Sequence, residues 1–189
     1  ALTDQEDWGK AVFLAVLFIL IGCEEFHLPK QKAYLAHQFS LPNYEMILDK
    51  CGYSFVINSD SKISFDSNCN AKINYDFLKA DIFISNIKIK NNLELIRYDF
   101  NQKISDNSSL VSSINTSEFN NIDQNVFALS YSFIGEAPSN IQFYVTDSIS
   151  NFLTGSLYFN SKPNYDSLLP SISYVKNDIK KIIETFQWK

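Results

Sequence analysis

Residues 140–160 read Asn-Ile-Gln-Phe-Tyr-Val-Thr-Asp-Ser-Ile-Ser-Asn-Phe-Leu-Thr-Gly-Ser-Leu-Tyr-Phe-Asn. Two runs rich in aromatic and branched residues, 140–147 and 152–160, flank a polar turn at 148–151, the pattern of paired strands. Working backwards, runs 114–122 and 125–134 have the same rhythm. The segment Gly135-Glu136-Ala137-Pro138-Ser139 separates them from the 140–147 run. Four consecutive strands are therefore expected. Beyond them, Leu168, Ile172, Val175, Ile179, Ile182 and Phe186 recur every three or four residues, which predicts a long amphipathic C-terminal helix. Asp166 or Ser167 is expected to cap it, with Pro170 in its first turn. Its Lys176, Lys180 and Lys181 are expected to face solvent.

Upstream of residue 114 the period changes. Leu93, Ile96, Phe100, Ile104 and Leu110 give a helical stripe within 91–112. Before that helix, strands are predicted at 32–41 (ended by Pro42), 53–57, 62–65, 71–75 and 80–90. The 53–57 and 62–65 runs are expected to pair as a hairpin, and an irregularity is expected near Asn86. The fold class is thus α+β: an antiparallel sheet with a middle helix and the long C-terminal helix packed on it. PsbP-like domains show the same order of elements, a likeness of fold alone.

The first thirty residues differ in kind. Residues 11–21 form an apolar run too short to span a bilayer and of the right length for the core of a secretory signal. Leu20-Ile21-Gly22-Cys23 comes next and resembles the lipobox of bacterial lipoproteins. The resemblance implies cleavage before Cys23 and acylation of its thiol and new amino terminus with chains such as palmitate. Two or more chains anchor stably where one is marginal. The competing reading is a cysteine at the end of a short buried helix. Residues 1–10 carry Asp4, Glu6 and Asp7 against Lys10, where an ordinary signal is basic. The division expected is a signal peptide at 1–22, a lipidated Cys23 with a polar tether through residue 32, and one periplasmic domain over 33–189.

The bulk composition narrows the function classes. The chain has 189 residues, a net charge of −5 and no long basic patch, which argues against nucleic acid as a partner. Sixteen Phe and ten Tyr suit a sheet with aromatic cross-strand pairs, whereas five Gly leave little for phosphate-binding loops. The two histidines are His27, in the tether, and His37, in a predicted strand. No Cys-x-x-Cys, His-Glu-x-x-His or Gly-x-Ser-x-Gly pattern occurs, so no catalytic, metal or cofactor residue is expected. A structural strand histidine is the expected role of His37. In an oxidising compartment Cys51 and Cys69 are expected to pair, closing a loop that constrains the unfolded chain by about 3 kcal/mol. The alternative is two buried thiols. Asp147-Ser148-Ile149 and Asp166-Ser167-Leu168 resemble the O-glycosylation triplet of Bacteroidetes, but Asp and Ser at a turn and a helix start are also ordinary caps.

The run 141–148, its continuation 151–160, the segment Pro163-Asn164-Tyr165-Asp166-Ser167-Leu168 and the ending 183–189 resemble the GldD family of gliding-motility lipoproteins. Upstream, Pro29-Lys30, Ala33-Tyr34, Cys51, Tyr53-Ser54-Phe55 and Cys69 fit the same family. Gly52 stands where the family tends to have Pro, a change compatible with a turn. The resemblance implies a Bacteroidetes envelope lipoprotein without enzymatic activity, held on the outer or inner membrane and facing the periplasm. It would act in gliding and type IX secretion through contacts with other lipoproteins and motor components. Gly155, Tyr158, Phe159, Pro163 and Tyr165 are the expected partner surface, on the premise that their strand lies at an open edge or face. The competing class is a periplasmic ligand-binding or enzymatic domain unrelated to motility, built around a pocket at His37.

Overall fold

The computed structural model describes residues 39–48, 51–160 and 164–189. Among them lie strands β1 (Tyr44–Leu48), β2 (Tyr53–Asn58), β3 (Lys62–Phe65), β4 (Ala71–Tyr75) and β5 (Ala80–Lys88), then helix α1 (Leu93–Asn107). Strands β6 (Val111–Asn121), β7 (Val126–Gly135), β8 (Ile141–Thr146) and β9 (Asn151–Phe159) come next, then helix α2 (Tyr165–Glu184) and a last short strand β10 (Gln187–Trp188). The fold class is α+β, with antiparallel sheets and two helices. The strands form two sheets. One is three-stranded in the order β1-β2-β10, the other seven-stranded in the order β3-β4-β5-β9-β8-β7-β6.

Side-chain alternation explains how the layers assemble. On the seven-stranded sheet, Ile73, Ile82, Ile84, Leu153, Leu157, Phe143, Val145 and Ala128 point to one face. That face is covered jointly by α2, through Ile172, Val175, Ile179, Ile182 and Ile183, and by β2 of the small sheet, through Tyr53, Phe55 and Ile57. All of these side chains share one core. On the opposite face α1 buries Ile96, Phe100 and Ile104, and Phe100 packs against Tyr131, Tyr144 and Phe152. Gly155, in the central strand β9, lies under Phe143 so closely that a methyl group built on it would fall inside the ring.

Several expectations change. The predicted hairpin of 53–57 with 62–65 does not form. β2 joins β1 and β10, while β3 pairs with β4 in the other sheet. The strand expected at 32–41 lies largely outside the described residues, and 39–43 is not strand; pairing begins at Tyr44. Near Asn86 the register with β9 is continuous. The ladder with β4 ends at Ile84, and the Asn86 N–H donates instead to the Asn70 side chain at 2.8 Å. Leu110, expected on the stripe of α1, lies beyond its end and is exposed. The cap of α2 is Asn164, whose side chain accepts from the Ser167 N–H, so Pro170 falls in the second turn. Phe186 lies past the end of α2 and stacks on Phe55 and Tyr53 of the small sheet.

Cys51 and Cys69 are joined in a disulfide, with Cα atoms 5.4 Å apart. Cys51 precedes β2 and Cys69 sits in the β3–β4 turn, so the bond links the small sheet to the large one. The Tyr53 hydroxyl reinforces the junction by donating to the Cys69 carbonyl at 2.7 Å.

These contacts carry measurable stability. Gly155→Ala should overpack the Phe143 site and cost about 1–3 kcal/mol, seen as a lower urea midpoint with an unchanged slope. Adding Phe143→Leu should recover part of that loss. Replacing both Cys51 and Cys69 with Ser should lower stability by about 3 kcal/mol in the same measurement.

Candidate functional site

The expected partner residues do not form one surface. β9 is the middle strand of seven and offers no edge. Gly155 is buried, because its face is the packed core. Tyr158 is exposed on the α1 side, where its ring meets Phe83 edge-on at 5.9 Å. Phe159 lies on the other face, half-buried, beside a small pocket of about 50 Å³ shared with the half-buried Tyr165. The Tyr165 N–H donates to Glu136 at 3.0 Å. Pro163, Cys23, His27 and His37 lie outside the described residues.

The open edge is elsewhere. β6 ends the large sheet and pairs only with β7 among the described residues. Its eleven residues, Val-Ser-Ser-Ile-Asn-Thr-Ser-Glu-Phe-Asn-Asn, are mostly exposed and contain neither Lys nor Pro, the usual guards of an edge strand. A groove of about 310 Å³ runs beside it, between β6–β7 and α2. Ser117, Ser130 and Ser132 line the sheet side, and Lys176 and Lys180 the helix side. The sequence pattern of β6 is legible as a strand, but its edge position depends on pairings that only the fold reveals.

A buried polar node ties α2 to the small sheet. Asp178, 1% exposed, accepts from the Tyr44 hydroxyl at 2.8 Å and from the Asn58 amide at 2.9 Å. The same amide reaches the Tyr174 hydroxyl at 2.8 Å. Tyr75 faces this carboxylate too, but its buried hydroxyl has no hydrogen-bond partner among the described residues. Burial, then the hydrogen bond to Asp178 and its negative charge, pushes the Tyr44 hydroxyl far above the ordinary tyrosine value; burial, then the negative charge of Asp178, does the same to Tyr75, so both keep their protons. The node joins β1, β2 and α2. Among the described residues no three His, Cys, Asp or Glu side chains converge as a metal site, and no helix is long and apolar enough to cross a membrane.

Of the two triplets, Asp147-Ser148-Ile149 forms the β8–β9 turn. One Asp147 oxygen accepts from the N–H groups of Ile149, Ser150 and Asn151 at 2.8–2.9 Å, and the other accepts from the Asn151 amide at 2.6 Å. Partial burial raises its pKa, but these donors outweigh burial and leave it below the usual carboxylate value. In the second triplet, Asp166 and Ser167 are exposed in the first turn of α2.

The lowered Asp147 pKa has a consequence for acid stability. Its contribution is complete above the unfolded value near 4 and is lost as pH falls through the lower folded value. Asp147→Ala should therefore cost about 1–2 kcal/mol at neutral pH, allowing for partial solvent exposure, and almost nothing at strongly acid pH. Denaturation series of both proteins from neutral to acid pH would show the two curves converging.

Comparison with curated proteins finds no significant match. The family model described as gliding motility lipoprotein GldD matches residues 24–188, from just after Cys23 to the β10 strand. That span includes both sheets, both helices and the disulfide. By this match the chain belongs to the GldD family of gliding motility lipoproteins.

Proposed function

We propose that this protein is a non-catalytic, lipid-anchored envelope component that supports gliding motility and type IX protein secretion through contacts with other proteins of that machinery. Family membership supports the motility role and a place in the cell envelope. In this reading Cys23 carries the acyl chains, residues 24–32 are the tether, and residues 33–189 work in the periplasm, anchored at the outer membrane.

The observation that carries the contact role is the β6 edge. Along about 37 Å, at the rise of an antiparallel strand, alternate residues of β6 turn backbone groups away from β7 with no strand paired to them among the described residues, beside a groove walled by α2. An extended segment of a partner protein would pair with this edge and lay alternate side chains into the groove. The polar groups described above have structural work: Asp178 joins the small sheet to α2, Asp147 closes a turn, and Cys51 and Cys69 are bonded to each other.

Two variants in the native host test separate parts of this reading. Cys23→Ala should move the protein from the membrane to the soluble fraction; retention in the membrane would rule out lipidation as the anchor. Ile114→Lys with Thr116→Lys places charge on β6 and should change stability by less than about 0.5 kcal/mol per site. That double variant should remain anchored but lose its crosslinks to the machinery, together with gliding and secretion. Normal motility with unchanged crosslinks would show that β6 is not the contact.

A further inference from the structure

The face of the large sheet beside α1 is only partly covered. Lys72, Phe83, Ser156, Gln142 and Tyr131 form one row across β4, β5, β9, β8 and β7. Phe100 of α1 closes over the Tyr131 end. The remainder opens into a cleft of about 440 Å³, bounded by the sheet on one side and by Lys103 and Asp106 of α1 on the other. A second cleft, of about 510 Å³, meets it at Thr154 and Lys103.

Two features of the first cleft point to a ligand. Phe83 and Tyr158 are 44% and 38% exposed, and stand side by side on one wall. Each exposed ring face is an apolar surface of its own, the two being set edge to face, and the Lys72 ammonium lies 5.3 Å from the centre of the Phe83 ring. The second feature is Gln142. It is 5% exposed and lines the cleft, yet no hydrogen bond to its side-chain amide occurs among the described residues. An amide brings two donors and an acceptor, and here its polar atoms open into the cleft instead of being sealed from solvent, so they are available to a bound molecule. Ser85, Thr154 and Ser156 line the same cleft, and their hydroxyls likewise have no partner among the described residues.

The chemistry of this lining narrows the class of ligand. Lys103 and Asp106 balance, so no net charge selects an anion or a cation. An acyl chain would leave the floor of amide and hydroxyls unpaired. A peptide strand finds no free backbone there, because β5, β8 and β9 are each paired on both sides. A ring with apolar faces and hydroxyl edges meets every feature, and the volume lies within the range of small-molecule sites. We propose that this cleft binds a short neutral saccharide, with Tyr158 stacked on a ring face, Phe83 packed beside it, and Gln142 bonded to hydroxyl or N-acetyl groups at its edge. Such a site is independent of the β6 contact.

The test uses the full chain in a detergent without a sugar headgroup. Three probes, N,N′-diacetylchitobiose, cellobiose and maltose, are titrated by calorimetry and by saturation-transfer NMR. At least one should bind saturably. Tyr158→Ala and Gln142→Ala should each weaken binding at least tenfold, Tyr158→Phe less than threefold, and Thr116→Lys on the β6 edge not at all. Urea midpoints identify any variant that has lost its fold, and the exposed position of Tyr158 makes its replacement the safer probe. Preference for the N-acetylated disaccharide would assign an amino-sugar polymer as the source, and preference for a glucose disaccharide a neutral glycan; either supports the proposal. Failure of all three probes to bind, or binding indifferent to Tyr158→Ala, would overturn it.

Discussion

One apolar helix stripe serves two sheets at once. Ile172, Val175, Ile179, Ile182 and Ile183 of α2 lie against the large sheet in the same core that receives Tyr53, Phe55 and Ile57 of the small one. Each such side chain contributes roughly 1.5–3 kcal/mol when fully buried. A three-stranded sheet with a two-residue outer strand has little stability of its own. Its persistence depends on this shared core, on the stacking of Phe186 over Phe55, and on the disulfide. The position of the small sheet over the β3–β4 side leaves α2 at the β7–β8 side, and so opens the groove beside β6.

The Asp178 node is the polar counterpart of that core. Hydrogen bonds from Tyr44 and Asn58 hold a carboxylate that is otherwise sealed from water. Replacing such a group by an apolar one often costs little, whereas removing one of its donors is expensive. The node therefore fixes register more than it adds stability: Asn58 and Tyr44 face each other in the β1–β2 ladder, and both must meet the same residue of α2.

Much of the fold is legible in the sequence where periodicity is long. Strands β4 to β9 and both helices fall close to the runs read from alternation and from the helical stripe. The failures have physical causes. β2 is buried along nearly its whole length, so its sequence lacks the alternation that would say which sheet it joins. The polar turn after Asn58 looks like a hairpin loop, but it carries the chain from one sheet to the other. β1 and β10 are short, and β10 depends on a partner distant in sequence. Gly155 reads as a surface glycine, and only the Phe143 ring pressed against it reveals its role. Of the surface features, Tyr158 is visible in the sequence. Gln142 is not, because its neighbours in the row come from strands far apart along the chain.

The disulfide also sets how this protein would carry mechanical load. A pull applied ahead of Phe39 reaches β1 first, and the ladder from Tyr44↔Asn58 to Leu48↔Ser54 can yield one pair at a time. At Cys51 the tension crosses the sulfur bridge to Cys69 and enters β4 directly. Residues 52–68, with β2 and β3, then lie off the line of force. Peeling would stop after a few residues of slack, and further extension would have to shear the large sheet. Under a load applied from the N-terminal side, the fold would thus have a compliant first stage and a stiff second one.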